Sequence, residues 1–100
     1  MYIAMNRFRI ALGREADFEN LWRSRESHLD GTPGFRTFHL VRGATTEECT
    51  LFASHTTWET KAAFEAWTRS DAFRRAHANA KAPPGTYLRH PVFEGFEVLI

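Results

Sequence analysis

The pattern of hydrophobic periods predicts an α+β fold with the ferredoxin-like order β-α-β-β-α-β: a four-stranded antiparallel sheet with its helices on one face. Three observations predict it. Four stretches, 2–10, 35–42, 50–57 and 92–100, alternate in character with a period of two. Two stretches between them, 15–29 and 58–79, space their apolar residues as helices do. The junctions carry turn residues, Leu12-Gly13, Gly31-Thr32-Pro33-Gly34 and Lys81 to Thr86 (KAPPGT).

In strand 2–10, Tyr2, Ala4, Asn6, Phe8 and Ile10 point one way, and Ile3, Met5, Arg7 and Arg9 the other. Asn6 is the polar break in the first set. A buried amide without partners costs about 1–3 kcal/mol, so Asn6 either bonds nearby backbone or water, or faces a site. Helix 15–29 aligns Phe18, Leu21, Trp22, Arg25 and Leu29 on one side. Arg25 is the odd charge there; its stem snorkels or its fork meets an acid at a pocket mouth. Strands 35–42 and 50–57 form a hairpin over the polar loop Gly43 to Glu48, and His39 and His55 fall on these neighbouring strands.

The stretch Trp58 to Ala80 reads as two short helices broken at Ser70-Asp71. Thr57 is placed to cap the first and Ser70 the second. Ala63, Phe64, Ala66 and Trp67 make the buried arc of the first. Phe73, Ala76, His77 and Ala80 share one face of the second, at i, i+3, i+4 and i+7. The far face of the sheet is expected to carry Ile3, Met5, Phe38, Leu40, Leu51 and Ala53, with Leu99 if it shares the register. That is more apolar surface than a monomer exposes, which predicts a sheet-to-sheet homodimer, a dimeric α+β barrel.

One hundred residues make a single domain, 1–100. A chain this short buries about 60–65% of its unfolded surface, and its nine Phe and three Trp either compensate with large side chains or furnish surface for a partner subunit. A net charge of +1 points to neither nucleic acid nor an acidic membrane as partner. Eleven of the thirteen basic residues are Arg, which suits carboxylate recognition but also follows from GC-rich coding. The lone cysteine, Cys49, excludes an intramolecular disulfide and fits a reducing, cytoplasmic setting. Neither a signal-peptide pattern nor an apolar run of about 20 residues occurs. H-E-x-x-H, C-x-x-C, G-x-G-x-x-G and P-loop motifs are lacking, against a zinc site or a nucleotide cofactor.

Among titratable groups His77 stands out. Ala76 and Ala80 beside it leave room for something broad and flat, and a neutral imidazole is a common iron ligand. The same residue also reads as a histidine hydrogen-bonded near a helix C-terminus, and Trp67 as plain core.

These features meet in a resemblance. Asn6 in its M-N-R strand, the turn Pro33-Gly34-Phe35 and the run H-T-T-W-E-T-K-A-A-F-E-A-W-T-R-S-D-A-F-R-R-A-H from His55 to His77 resemble the antibiotic-biosynthesis-monooxygenase (ABM) superfamily. Within it they resemble the IsdG-type heme-degrading monooxygenases, across essentially the whole chain. The resemblance implies that His77 is the proximal heme-iron ligand and that Asn6 is the distal amide donating toward oxygen. It implies that Trp67 presses on the porphyrin and that Arg25 lies near the propionates. It implies heme as cofactor and substrate, O2 activated on its iron, ring opening with iron release, and electrons from a separate reductase or small reductant. Tyr87 to Pro91 (YLRHP) departs from the staphylococcal pattern, and His90 is held extended by Pro91. Two other functions fit the same residues: a cofactor-free ABM monooxygenase of a quinol or aromatic, and a heme-binding carrier without turnover.

Overall fold

The structure is a computed structural model that describes residues 1–100 apart from Glu26, Ser27 and Asn79 to Lys81. Its elements are β1 (Tyr2–Ala11), α1 (Glu15–Ser24), β2 (Phe35–Thr45), β3 (Cys49–Trp58), α2 (Lys61–Thr68), α3 (Asp71–Ala78) and β4 (Val92–Glu97). The four strands form one antiparallel sheet in the order β2-β3-β1-β4. The predicted ferredoxin-like α+β fold is the fold observed.

The helices lie on the face presented by Tyr2, Ala4, Phe8 and Ile10, all buried, and their β3 partners Trp58, Thr56, Phe52 and Thr50. Two clusters fill the space between. One packs Phe8, Ile10 and Phe52 under Phe18 of α1. The other packs Tyr2, Ala4 and Trp58 under Trp67 and Ala76 of α2 and α3. Between the two clusters the core opens into a cavity.

Several sequence expectations are corrected. The strand partner of Phe38 is Thr56 and that of Leu40 is Ser54, so both face the helices and not the far side. The cause is a bulge between Phe35 and Thr37. One extra residue at Arg36 inverts the alternation of everything after it. The far face therefore shows Thr37, His39 and Val41 from β2, beside Ile3, Met5, Leu51, Ala53, Val92 and Phe96. Leu99 lies beyond the end of β4.

Trp58 and Thr57 belong to β3 and not to a helix. Trp58 pairs with Tyr2 and Phe35 and is fully buried. The sheet ladder claims Thr57, so the α2 cap falls to Thr60, whose hydroxyl accepts from Ala63 N–H at 3.0 Å. Ala66 is exposed, because about 100° per residue carries it to the rim of the Ala63–Phe64–Trp67 arc. Helix α1 stops at Ser24, whose hydroxyl donates back to Leu21 C=O. Arg25 is extended, and Leu29 reaches the core from the connection after the helix. Strand β4 ends at Glu97 and β2 runs on to Thr45. Ala80, expected on the face of His77, lies outside the described residues.

Candidate active site

The cavity between the clusters has a volume of about 370 Å³, within the range of small-molecule sites. Its floor is the sheet: Ala4 and Asn6 of β1, Phe38 of β2, Ser54 and Thr56 of β3, and Phe93 of β4. Trp22 and Arg25 form one wall. Phe64, Trp67 and Thr68 of α2 and Phe73, Ala76 and His77 of α3 form the other. All four residues singled out from sequence, Asn6, Arg25, Trp67 and His77, line this one space.

Ser70 sets the geometry of the helical wall. Its hydroxyl donates to Trp67 C=O at 2.7 Å, closing α2, and accepts from Phe73 N–H at 3.1 Å, opening α3. One side chain thus ends one helix and caps the next. The break turns α3 so that His77 and Trp67 reach the cavity from different helices. Trp67 is held by Trp58, with ring centroids 6.3 Å apart, and by the edge of Phe73, at 5.6 Å. It is at once a core residue and a pocket wall.

His77 lies at the rim. Its Nδ1 is 2.8 Å from Phe73 C=O. A carbonyl only accepts, so the proton sits on Nδ1 and Nε2 keeps its lone pair. Desolvation pushes the His77 pKa below its ordinary value. The Phe73 carbonyl opposes that shift, and the nearby Arg25 charge adds to it. The ring is thereby kept neutral, the state a metal ligand needs. The hydrogen bond that fits a histidine near a helix C-terminus also leaves Nε2 in the form a metal ligand requires.

Arg25 leaves α1 in extended backbone. Its Nε donates to Ala76 C=O at 3.0 Å, and its guanidinium carbon sits 4.4 Å from the centroid of the Trp22 ring. Burial lowers its pKa, opposed by Tyr87; an arginine remains charged regardless. Asn6 pairs across the sheet with Ser54 and Phe93. Its side-chain amide has no partner among the described residues, unlike Thr56, which donates to Ala4 C=O and accepts from Trp58 Nε1–H. Asn6 therefore offers a donor and an acceptor to whatever enters.

Among the described residues no three His, Cys, Asp or Glu side chains converge. The described residues of the cavity do not by themselves cage a bare ion. An iron that His77 holds must arrive with its other donors supplied, as a tetrapyrrole supplies them, and the apolar walls and the small, buried Ala76 suit a flat ring. The residues present fit heme. His90 lies outside this cavity, by Arg89 and Val92.

Sequence reasoning missed Trp22 and Phe38 as wall residues, their rings stacked 5.7 Å apart at 19°. It also missed Ser54 and Thr56. Their signal is legible in retrospect: two hydroxyls between Phe52 and Trp58 on the helix-facing side of the strand, one of them directly across from Asn6.

Fold and pocket together define a small ferredoxin-like α+β domain with a largely apolar cavity in which His77 is the histidine among the described lining residues. More particularly, residues 1–79 match the family model for antibiotic biosynthesis monooxygenase, and the chain belongs to that family. A heme oxygenase (mycobilin-producing) of Mycobacterium tuberculosis is 30% identical over 82 residues, covering 82% of this chain and 75% of that protein. A heme-degrading monooxygenase of Shouchella clausii is 39% identical over 59 residues, 59% of this chain and 55% of that protein, so the match spans little more than half of that relative. The solved structure of the heme-degrader MhuD from M. tuberculosis, with two hemes bound in its active site, matches over 100% of this chain and 97% of that one. Its TM-score is 0.77 at 28% identity. SnoaB, a cofactor-independent oxygenase from Streptomyces nogalater, shares the fold at TM-score 0.68 and 19% identity, over 99% of this chain and 93% of that one.

Proposed function

We propose that this chain is a heme-degrading monooxygenase. The observation that carries the reading is the pairing, in one apolar cavity, of a neutral imidazole with its Nε2 free and an amide with no partner among the described residues. The heme-degrading relatives agree with it. Bound heme supplies the iron on which O2 is activated and is itself the ring opened, with release of iron. The chain's own residues bind and position. His77 ligates through Nε2, and Phe73 C=O fixes the ring's orientation. Trp67, braced by Trp58 and Phe73, would press on a bound macrocycle. Asn6 would offer its amide donor toward oxygen from the cavity floor, and Arg25 would bring positive charge for the propionates. Electrons come from a separate reductase or small reductant. The lone free thiol, Cys49, suits a cytoplasmic enzyme. A second copy covers the open face of the sheet, where Val41, Leu51, Val92 and Phe96 expose between 36% and 57% of their surface.

Hemin titration followed by ascorbate in air tests this. The expected result is a Soret band that saturates and then bleaches with release of iron. Asn6→Ala is expected to keep the band and slow the bleaching on the order of 10²-fold, as loss of one preorganised donor does. A wild-type band that persists under reductant means a carrier. No band at all means a cofactor-free monooxygenase of an aromatic substrate.

The pH dependence follows from His77. A proton on Nε2 competes with iron, and the His77 pKa lies below 6.5. Hemin affinity is therefore expected to hold from alkaline to neutral pH and to fall only in acid solution, at lower pH than for an ordinary histidine. A decline that begins above about pH 7 would contradict the assignment.

A further inference from the structure

Two aromatic pairs bound the cavity, each joining a helix to an outer strand of the sheet. On one side Trp22 of α1 stacks on Phe38 of β2. On the other Phe64 of α2 stacks on Phe93 of β4, with ring centroids 5.5 Å apart and planes at 7°. All four rings line the cavity. In the strand order β2-β3-β1-β4 the two pairs stand on opposite sides of the floor, three strand spacings of about 4.8 Å apart.

The two sides differ in chemistry. The Trp22 ring carries the Arg25 guanidinium at 4.4 Å, so that side is cationic. The Phe64 side is apolar and firmly built: its ring packs on Tyr2 and Trp58, with centroids 5.6 Å and 5.7 Å away. Phe93 is 47% exposed and leans on this fixed ring from the edge strand. Phe93 is also the cross-strand partner of Asn6. Such partners have Cα atoms about 4.5–5.5 Å apart and side chains on one face. The ring of Phe93 therefore stands immediately beside the Asn6 amide.

A single imidazole fixes an iron at one point and leaves a macrocycle free to turn about that bond. Which carbon of the ring comes to Asn6 is then decided at the periphery of the macrocycle, where small displacements matter for reaction. The edge that carries the propionates suits the Arg25 side. The opposite edge, with its vinyl and methyl groups, suits the Phe64–Phe93 side. We propose that the Phe64–Phe93 stack is a specificity-determining stop. It receives the apolar edge of heme, sets how the macrocycle is turned over Asn6, and so selects the bridge carbon at which the ring opens. The inference rests on the heme-degrading reading and adds to it the residue pair that fixes the position of cleavage.

Chromatography and mass spectrometry of the ring-opened isomers, after hemin loading and ascorbate in air, test the stop. Phe93→Ala is expected to bind and bleach hemin, with the share of the principal wild-type isomer at least about twofold lower. Phe93→Tyr, which keeps the ring, should keep the wild-type isomers. Proton spectra of the ferric cyanide complexes read the seating without turnover. The shifted heme methyl signals of wild type should be redistributed in Phe93→Ala and retained in Phe93→Tyr. Deuterohemin, an iron porphyrin without vinyl groups, needs no variant: wild type should open it with the loosened selectivity that Phe93→Ala shows on hemin. Wild-type isomers and methyl signals in a Phe93→Ala protein that bleaches hemin overturn the proposal and leave the heme-degrading reading standing. So does unchanged selectivity of wild type on deuterohemin. A wild type that forms no Soret band, or whose band persists under reductant, overturns both.

Discussion

His77→Ala is expected to lower hemin affinity by about 100-fold or more and to remove the Soret band of the histidine-ligated complex. Losing even a hydrogen-bond partner of a metal ligand costs about 10–100-fold, and here the proposed ligand itself goes. The fold should not suffer. Within the chain His77 touches its own helix, through Nδ1 to Phe73 C=O and through its ring, 4.0 Å from the Phe73 centroid. One such partly exposed bond is worth about 0.5–1.5 kcal/mol, so the melting temperature should move by only a few degrees. Added imidazole is expected to restore part of the band, because Ala76 and the shortened side chain leave room for it. A variant with unchanged hemin affinity and spectrum would remove iron ligation from this residue. The variant also separates the roles around the cavity: Asn6→Ala should bind hemin and fail in turnover, whereas His77→Ala should fail at binding.

Much of this site is legible in the sequence because its key residues break local patterns. Asn6 interrupts an apolar strand face, and a buried amide is costly enough to need a reason. Ser70 sits where one helical period ends and another begins. His77 shares a helix face with Phe73 and Ala76. Each of these signals is local, and each survives folding. What is not legible is decided by contacts between distant segments. Phe38 and Leu40 change faces because of one extra residue at Arg36, and nothing in the alternation of β2 announces a bulge. Thr57 and Thr60 are equally good caps by chemistry; the choice falls to Thr60 because Thr57 is paired with Ile3 and Thr37 in the sheet. Helical spacing would run α1 on to Leu29. The chain leaves the helix at Arg25 instead, where extended backbone sends the guanidinium to Ala76 of α3, fifty-one residues away. Sequence periodicity sees faces, and tertiary pairing fixes their phase.

Gly34→Ala is expected to be strongly destabilising. Gly34 has φ +79°, in the left-handed region, where a side chain costs about 1–2 kcal/mol. A Cβ there would also collide with the Cβ of Ala63, on the first turn of α2. That neighbour is a short side chain on a helix and cannot swing aside. The carbonyl of Gly34 meanwhile accepts from Glu59 N–H at 2.7 Å, tying the turn to the approach of α2. Backbone strain and overpacking together amount to about 2–5 kcal/mol, a drop in melting temperature of roughly 10–30 °C for a domain of this size. Gly31 provides the comparison, since it has φ +80° and an added Cβ there would meet nothing within 4 Å. Gly31→Ala should show the backbone cost alone. In the Gly34→Ala background, Ala63→Gly should recover part of the loss, although on its own it costs about 1 kcal/mol of helix propensity. The effect should reach the cavity, because Trp67 stands one turn beyond Ala63 on the same face of α2. Displacing the first turn of α2 moves the indole that Trp58 and Phe73 otherwise hold, and hemin affinity should fall with stability. Equal losses from Gly31→Ala and Gly34→Ala would mean that α2 yields to the added methyl, and that the turn does not set where Trp67 stands.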